Sequence, residues 1–117
     1  MRATAYGSLG FVYRQMGQSM NAKQCFETAL QEAPGRARAM IGLGLIAQDN
    51  GNLAEAIRQY SSAVSAQPGD VVYLLLAQAL LQQGHADDAK TIYERFLRMS
   101  PNLPEAQKEA ESLLSRN

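Results

Sequence analysis

Apolar residues recur along this chain at intervals of three and four positions, which is the spacing of one face of an α-helix. Tyr6, Leu9 and Tyr13 form one such stripe, and a second stripe follows at Ala22 and Phe26. The same succession of stripe, turn and stripe continues through most of the 117 residues. It predicts helices over approximately 3–16, 19–33, 37–50, 53–66, 70–83 and 86–99.

The predicted helices repeat in pairs. Pro68 lies 34 residues after Pro34, and Pro101 lies 33 residues after Pro68. Counting back from each proline gives matching residue types: Ala29, Ala63 and Phe96; Phe26, Tyr60 and Tyr93; Ala22, Ala56 and Ala89; Gly17, Gly51 and Gly84. A period of this length indicates stacked two-helix units, which offer an extended surface and favour binding over catalysis.

The repeated pattern resembles that of the tetratricopeptide repeat family. That signature places an aromatic residue before Leu-Gly and Tyr, then Ala and Phe four residues apart, then Pro. The matching residues are Tyr6, Leu9, Gly10, Tyr13, Ala22, Phe26 and Pro34 in the first repeat (3–36), Met40, Leu43, Gly44, Ala47, Ala56, Tyr60 and Pro68 in the second (37–69), and Tyr73, Leu76, Ala77, Leu80, Ala89, Tyr93 and Pro101 in the third (70–103). The resemblance implies an all-α fold, an α-solenoid in which helix-turn-helix repeats form a right-handed superhelix within one domain spanning 1–117.

Turn and cap residues define the ends of the predicted helices. Gly17, Gly51 and Gly84 stand where the first helix of each pair ends, a position that favours a left-handed backbone. Asn52 is a good N-cap, and Glu55 three residues later could reach back to its N–H. Small residues such as Gly10, Gly44, Ala22 and Ala56 should let paired helices approach closely.

The two ends of the repeat array differ. Pro104 and an apolar stripe at Leu103, Ala106, Ala110, Leu113 and Leu114 predict a seventh helix over 104–115, whose polar opposite face suits a cap. At the other end, Phe11 and Val12 belong to a leading helix with no cap before it. We expect either further chain or a second copy to cover that end, although a lone amphipathic end could also be tolerated.

Composition excludes several classes of function. Eleven basic residues balance eleven acidic ones, so the surplus of positive charge that nucleic-acid binding needs is lacking. The sequence has no apolar run of membrane-spanning length and no signal-peptide pattern at its start, which makes the cytoplasm the default compartment. Cys25 is the single cysteine and His85 the single histidine, and they fall in different repeats. We therefore expect no metal site, no cofactor and no enzymatic activity.

In the family, the first helices of successive repeats line a concave groove and the second helices form the outer face. Helical phase then selects the residues beside the packing stripe as a partner-binding groove: Phe11, Arg14, Arg38, Ile41, Leu45, Gln48, Leu74, Leu75 and Gln78. Phe11, Ile41, Leu45 and Leu74 would form an apolar strip, with Arg14 and Arg38 placed to pair with acidic flanks of a ligand. The alternative is that these residues pack against the adjoining repeat.

Some family members grip the acidic C-terminal tails of heat-shock chaperones with lysine, asparagine and arginine side chains in this groove. The corresponding positions here hold Gly7, Phe11, Gly42, Val71 and Leu75, none of which can pair with a carboxylate. The sequence therefore predicts a non-enzymatic scaffold or adaptor that binds an apolar or amphipathic segment of a partner protein. The alternative is a self-assembly module that forms homo-oligomers through its uncapped N-terminal repeat or its groove.

Overall fold

In the computed structural model, residues 2–99 and Lys108 are described, without the side chain of Asp70. The described chain is helical with no β-strand, and each helix is 13 or 14 residues long. The helices are α1 (Arg2–Gln15), α2 (Ser19–Glu32), α3 (Ala37–Asp49), α4 (Leu53–Ala66), α5 (Asp70–Gln82) and α6 (Ala86–Met99). All six lie within one residue of the predicted bounds, whereas the predicted seventh helix over 104–115 lies outside the described residues.

The chain divides into two compact units, Met1–Gln67 and Pro68–Asn117. Within the first unit, α1 packs on α2, α2 on α3, and α3 on α4, and α1 also contacts α3. Within the second unit, α5 packs on α6. The boundary coincides with the end of the second repeat, so the first unit holds two helix pairs and the second unit begins with the third. That all repeats form one domain over 1–117 stays a prediction.

The predicted glycine turns are confirmed. Gly17, Gly51 and Gly84 have φ values of +78°, +77° and +89°, and no other described residue has a positive φ. The residue after each glycine donates its N–H to the carbonyl five positions earlier, as in the bond of 2.8 Å from Asn52 to Ala47. This closure satisfies carbonyl groups that the end of a helix would otherwise leave without a donor.

The predicted cap on α4 is partly correct. The Asn52 side chain accepts a hydrogen bond from the Glu55 N–H at 3.2 Å. Glu55 does not return the bond, because the Asn52 N–H is already used in the glycine turn. Its carboxylate instead accepts from the Arg58 side chain at 2.6 and 2.8 Å and from Gln59 at 3.0 Å. These bonds, Arg58 foremost, hold the pKa of Glu55 below its usual value.

Aromatic and small residues of the second helices form the core. Phe26, Tyr60, Tyr93 and Phe96 are the largest fully buried side chains, and the alanines at 22, 56 and 89 are buried beside them. Since these are the repeated positions of the sequence pattern, the repeat register is also the packing register. A Cβ atom added at Gly44 would lie 2.5 Å from the Tyr60 ring, which is why the first helix needs glycine there.

Candidate functional site

The buried ring of Phe26 supports the predicted binding residue Phe11 in the first unit. The Phe26 ring has no exposed surface and lies against two helix backbones. A Cβ atom at Gly10 of α1 would lie 2.7 Å from the ring, and one at Gly42 of α3 would lie closer still. Neither helix could carry a side chain here without displacing the ring. The two glycines therefore allow the backbones of α1 and α3 to pack directly against the Phe26 ring.

Phe11 packs on Phe26, and Arg38 contacts Phe11. The Phe11 ring packs edge-on against Phe26, with centroids 4.9 Å apart and planes at 72°. The guanidinium carbon of Arg38 lies 4.9 Å from the centroid of the Phe11 ring, within the range of a cation–π contact. Phe11 is half-buried and Arg38 is exposed. Two residues that the sequence placed in the groove are thus brought together, from helices one repeat apart.

Arg14 has a partner that the sequence analysis did not anticipate. Its Nε donates to Asp49 Oδ2 at 2.8 Å, and its Nη2 donates to Oδ1 at 3.0 Å. This two-pronged pair joins the last turn of α1 to the last residue of α3. Hydrogen bonding to Asp49 raises the pKa of Arg14 further above its usual value. Arg14 is therefore already neutralised within the molecule, and the expectation that it awaits an acidic group of a ligand loses its support.

Gln48 is tied to the core below it. The Tyr60 hydroxyl donates to Gln48 Oε1 at 2.7 Å. Burial raises the pKa of Tyr60 to about 12, because the protein interior disfavours the phenolate. The half-buried Gln48 supplies the acceptor that a buried tyrosine hydroxyl requires. The hydrogen bond from Tyr60 therefore helps to fix the position of the Gln48 side chain.

The aliphatic residues of the predicted strip remain partly open to solvent. Ile41 and Leu45 are one turn apart on α3, and both are half-buried. Gly44 and Ile46, on either side of Leu45 in the sequence, are buried. One face of α3 therefore packs into the protein, and the face with Ile41 and Leu45 is partly exposed. Packing within the first unit therefore leaves part of each side chain accessible to solvent. That they contact a partner stays a prediction.

In the second unit, the predicted residues lie on α5. Leu74, Leu75 and Gln78 are all half-buried, while the neighbouring Tyr73, Leu76 and Ala77 are buried. Val71 at the start of α5 is 61% exposed. The predicted binding residues of α5 are thus among its partly exposed positions, and that they contact a partner stays a prediction.

A different apolar surface covers one side of α1. Tyr6, Leu9, Val12 and Met16 are 38, 41, 50 and 60% exposed, and no charged residue lies among them. The repeat register allows a comparison with the equivalent face of α3. Val12 corresponds to Ile46 of α3, which is only 4% exposed. In α3 that face packs toward α2, the preceding helix. Large apolar side chains grouped in this way mark an interaction surface.

The first unit also carries surface depressions. One is lined by residues of α2, α3 and α4 that include Lys23, Glu27, Asn52 and Arg58. Another lies at the turn between the first two repeats, around Pro34 and Arg36. Within the described residues, no three His, Cys, Asp or Glu side chains are grouped as metal ligands. None of the helices described is long and apolar enough to cross a bilayer.

Paired antiparallel helices, repeated at a fixed interval with an open side face, define a helical-repeat protein. Two family models, both described as tetratricopeptide repeat, match residues 9–71 and 47–116. The chain belongs to the tetratricopeptide repeat family.

Two curated proteins share sequence with it. It is 28% identical over 92 residues to the CTR9 homolog of Arabidopsis thaliana and 32% identical over 84 residues to the human protein O-mannosyl-transferase TMTC1. These matches cover 77% and 71% of this chain. They span only 8% and 9% of the two relatives, so most of each relative has no counterpart here.

Solved structures with the same fold include two peptide complexes. The first tetratricopeptide domain of Spaghetti (RPAP3), bound to the HSP90 peptide SRMEEVD, has a TM-score of 0.88 at 21% identity, covering 98% of this chain and 94% of that one. The Yersinia enterocolitica type III secretion chaperone SycD, in complex with a peptide of the translocator YopD, has a TM-score of 0.84 at 24% identity, covering 97% and 89%. At these identities the likeness shows the fold.

Proposed function

We propose that this chain is a protein-interaction scaffold that binds an apolar or amphipathic segment of another protein. The segment contacts Phe11, Ile41 and Leu45 on α1 and α3 of the first unit. The predicted residues Leu74, Leu75 and Gln78 on α5 belong to the second unit and stay a separate prediction. The observation that carries the proposal is the half-open state of the apolar side chains on α1 and α3 above a fully packed base. Structures of the same fold hold peptides, which supports a peptide as the class of ligand.

The polar residues around this surface favour an apolar contact. Arg14 is neutralised by Asp49, and Gln48 accepts the hydrogen bond of Tyr60. Polar groups that already have partners need not be desolvated and re-paired when a ligand binds, which keeps the cost of covering them low. A chaperone-type carboxylate clamp is disfavoured for a further reason: Gly42, one of its positions, has no room for a side chain against Phe26.

The test is a single charge placed in the apolar surface. Leu45→Glu would put a carboxylate where the partner is expected to bury a hydrocarbon group, and the half-open site lets the protein itself remain folded. Gln24→Glu adds the same charge at an exposed position of α2 and serves as the matched control. We expect a partner segment captured from cell extract, then purified, to bind wild type and Gln24→Glu alike and Leu45→Glu at least tenfold more weakly. Equal binding to all three would contradict the proposal.

A second candidate function is self-assembly through the exposed side of α1. The observation that favours it is the uncharged apolar surface formed by Leu9, Val12 and Met16, in which Val12 stands at the position that α3 buries as Ile46. A homo-oligomer formed there should dissociate when Val12 is changed to Glu, as measured by sedimentation equilibrium over a range of concentrations. A wild-type chain that stays monomeric at every concentration would exclude this candidate.

A further inference from the structure

We propose that Arg38, resting on Phe11, is the receptor for one side-chain carboxylate of the bound segment, next to that segment's apolar contact. This inference rests on the proposed function and adds a chemical requirement to it. The partner segment carries a single Asp or Glu beside its apolar anchor. The requirement comes from the state of the arginines near the proposed binding surface.

The three arginines near this surface differ in what they already bind. Arg14 is held by both oxygens of Asp49. Arg36 donates to the hydroxyl of Thr4. Arg38 is exposed and, among the residues that the structure describes, has no carboxylate partner. Among the described residues, Arg36 and Arg38 both lack a carboxylate partner, but Arg36 already donates to Thr4. An acidic group arriving at the α1 and α3 side therefore meets Arg38 as the exposed cation whose N–H groups are not already used by Thr4 or Asp49.

The contact with Phe11 leaves Arg38 able to bind an anion. Its guanidinium carbon lies over the ring, 4.9 Å from the centroid, and a cation–π contact of this kind is not a hydrogen bond to a carboxylate or carbonyl. Its N–H groups point outward in its own plane, so they can still donate two parallel hydrogen bonds to a carboxylate. The ring also shields one face from water, which strengthens the charge–charge attraction. A lysine could stack in the same place but could not offer the two-pronged geometry.

The receptor is also held in place before a ligand arrives. Phe11 is fixed by its edge contact with Phe26, and Phe26 is confined by the backbones at Gly10 and Gly42. Arg38 thus rests on a ring that has little freedom to move. Less side-chain entropy is lost on binding when the receptor is already ordered. This distinguishes Arg38 from an ordinary surface arginine, whose ion pairs contribute little.

The position of Arg38 on α3 fixes where the acid must stand in the ligand. Ile41 and Leu45 follow Arg38 by three and seven residues, so all three lie along one face of the helix. The rise of an α-helix places Arg38 about 4.5 Å from the level of Ile41. One turn of a helical ligand rises about 5.4 Å, which is close to that distance. The acid therefore lies next to an apolar anchor in the ligand, toward the N-terminal end of α3.

A phage-displayed library of random twelve-residue peptides, selected on the purified full chain, supplies the probe. We expect selected peptides to share an Asp or Glu beside a Leu, Ile or Phe. A synthetic copy of one such peptide should bind Arg38→Gln at least tenfold more weakly than wild type, and Arg38→Lys with intermediate affinity. Arg95→Gln, which removes an exposed arginine of α6, is the control and should not change the affinity.

Replacing the acid of that peptide by its amide completes the test. The amide peptide should lose tenfold on wild type and nothing further on Arg38→Gln, since both changes remove one contact. Peptides that lose binding to Leu45→Glu but not to Arg38→Gln would overturn this inference and leave the proposed function intact. Peptides that ignore both variants, or a selection that yields none, would count against both. Circular dichroism spectra of each variant identify any loss of fold.

Discussion

Gly42→Ala should destabilise the protein although alanine is the better helix former. The exchange gains about 0.8–1.0 kcal/mol of helix propensity in the middle of α3. The added Cβ would lie far inside van der Waals contact with the Phe26 ring. Overpacking of a core costs about 1–3 kcal/mol, and the upper end applies because Gly10 blocks the ring's retreat. We expect a net loss of about 2 kcal/mol, or a melting temperature about 6–12 °C lower.

Gly7→Ala is the matched control. Gly7 is also a buried glycine inside a helix of the same unit, but nothing lies within 4 Å of the position its Cβ would take. This variant should gain the propensity of alanine and become about 0.8–1.0 kcal/mol more stable. Urea and thermal unfolding followed by far-ultraviolet circular dichroism measure both changes. The sequence letters alone give no reason for the two substitutions to have opposite signs.

A second background decides whether the Phe26 ring is the cause. In a Phe26→Leu variant the ring atoms that a Cβ at position 42 would meet are gone. Adding Gly42→Ala there should be neutral or stabilising, so that the two changes are strongly non-additive. If Gly42→Ala costs as much in the Phe26→Leu background as in wild type, the ring is not what excludes a side chain at position 42. The account of how α1 and α3 close on the core would then be wrong.

Three further predictions concern polar groups. With the pKa of Tyr60 raised to about 12 against about 10 when unfolded, its contribution to stability is complete below pH 10 and is lost as pH rises toward 12. From pH 9 to 11, wild type should lose about 1.3 kcal/mol more than Tyr60→Phe in urea titrations, and equal losses would contradict the assignment. A double-mutant cycle with Arg14→Gln and Asp49→Asn should give a coupling of about 0.5–1 kcal/mol, given the partial exposure of the pair, whereas strict additivity would show that the contact contributes nothing. Asn52→Ala should cost about 1 kcal/mol and Gln18→Ala much less in thermal melts, because only Asn52 makes a capping hydrogen bond; similar losses would argue against the cap.

The helices and turns could be predicted from sequence because their causes are local. Each first helix ends at a glycine that adopts positive φ, and the residues at 22, 26 and 29 and their counterparts recur at helical spacing. Turn chemistry and periodicity of this kind depend on neighbours within about seven residues. Because the same pattern recurs in three repeats, the helix bounds could be predicted to within one residue.

The side-chain contacts of the site could not be predicted in the same way. Arg14 and Asp49 are 35 residues apart, and Arg38 and Phe11 are 27 apart, so no local pattern joins either pair. The repeat register does carry a signal: partners one repeat apart stand beside each other when α1 and α3 pack. Reading the register across repeats, and not only along them, places Gln48 opposite Arg14, one residue from its actual partner Asp49. It narrows the search without naming the pair, and it would not have shown that Arg38 contacts Phe11.

The two candidate functions use different sides of α1, and this makes them separable. Each residue of a helix advances by 100°, so the side centred on Phe11 and Arg14 and the side centred on Leu9, Val12 and Met16 are roughly 160° apart. A second copy docked on Val12 would therefore leave Phe11 uncovered, and a ligand held at Phe11 would not displace that copy. It follows that Val12→Glu should alter assembly without altering ligand affinity, while Leu45→Glu should do the reverse. If either substitution changes both properties, one surface is serving both functions, and the division of α1 into two sides does not describe how the protein works.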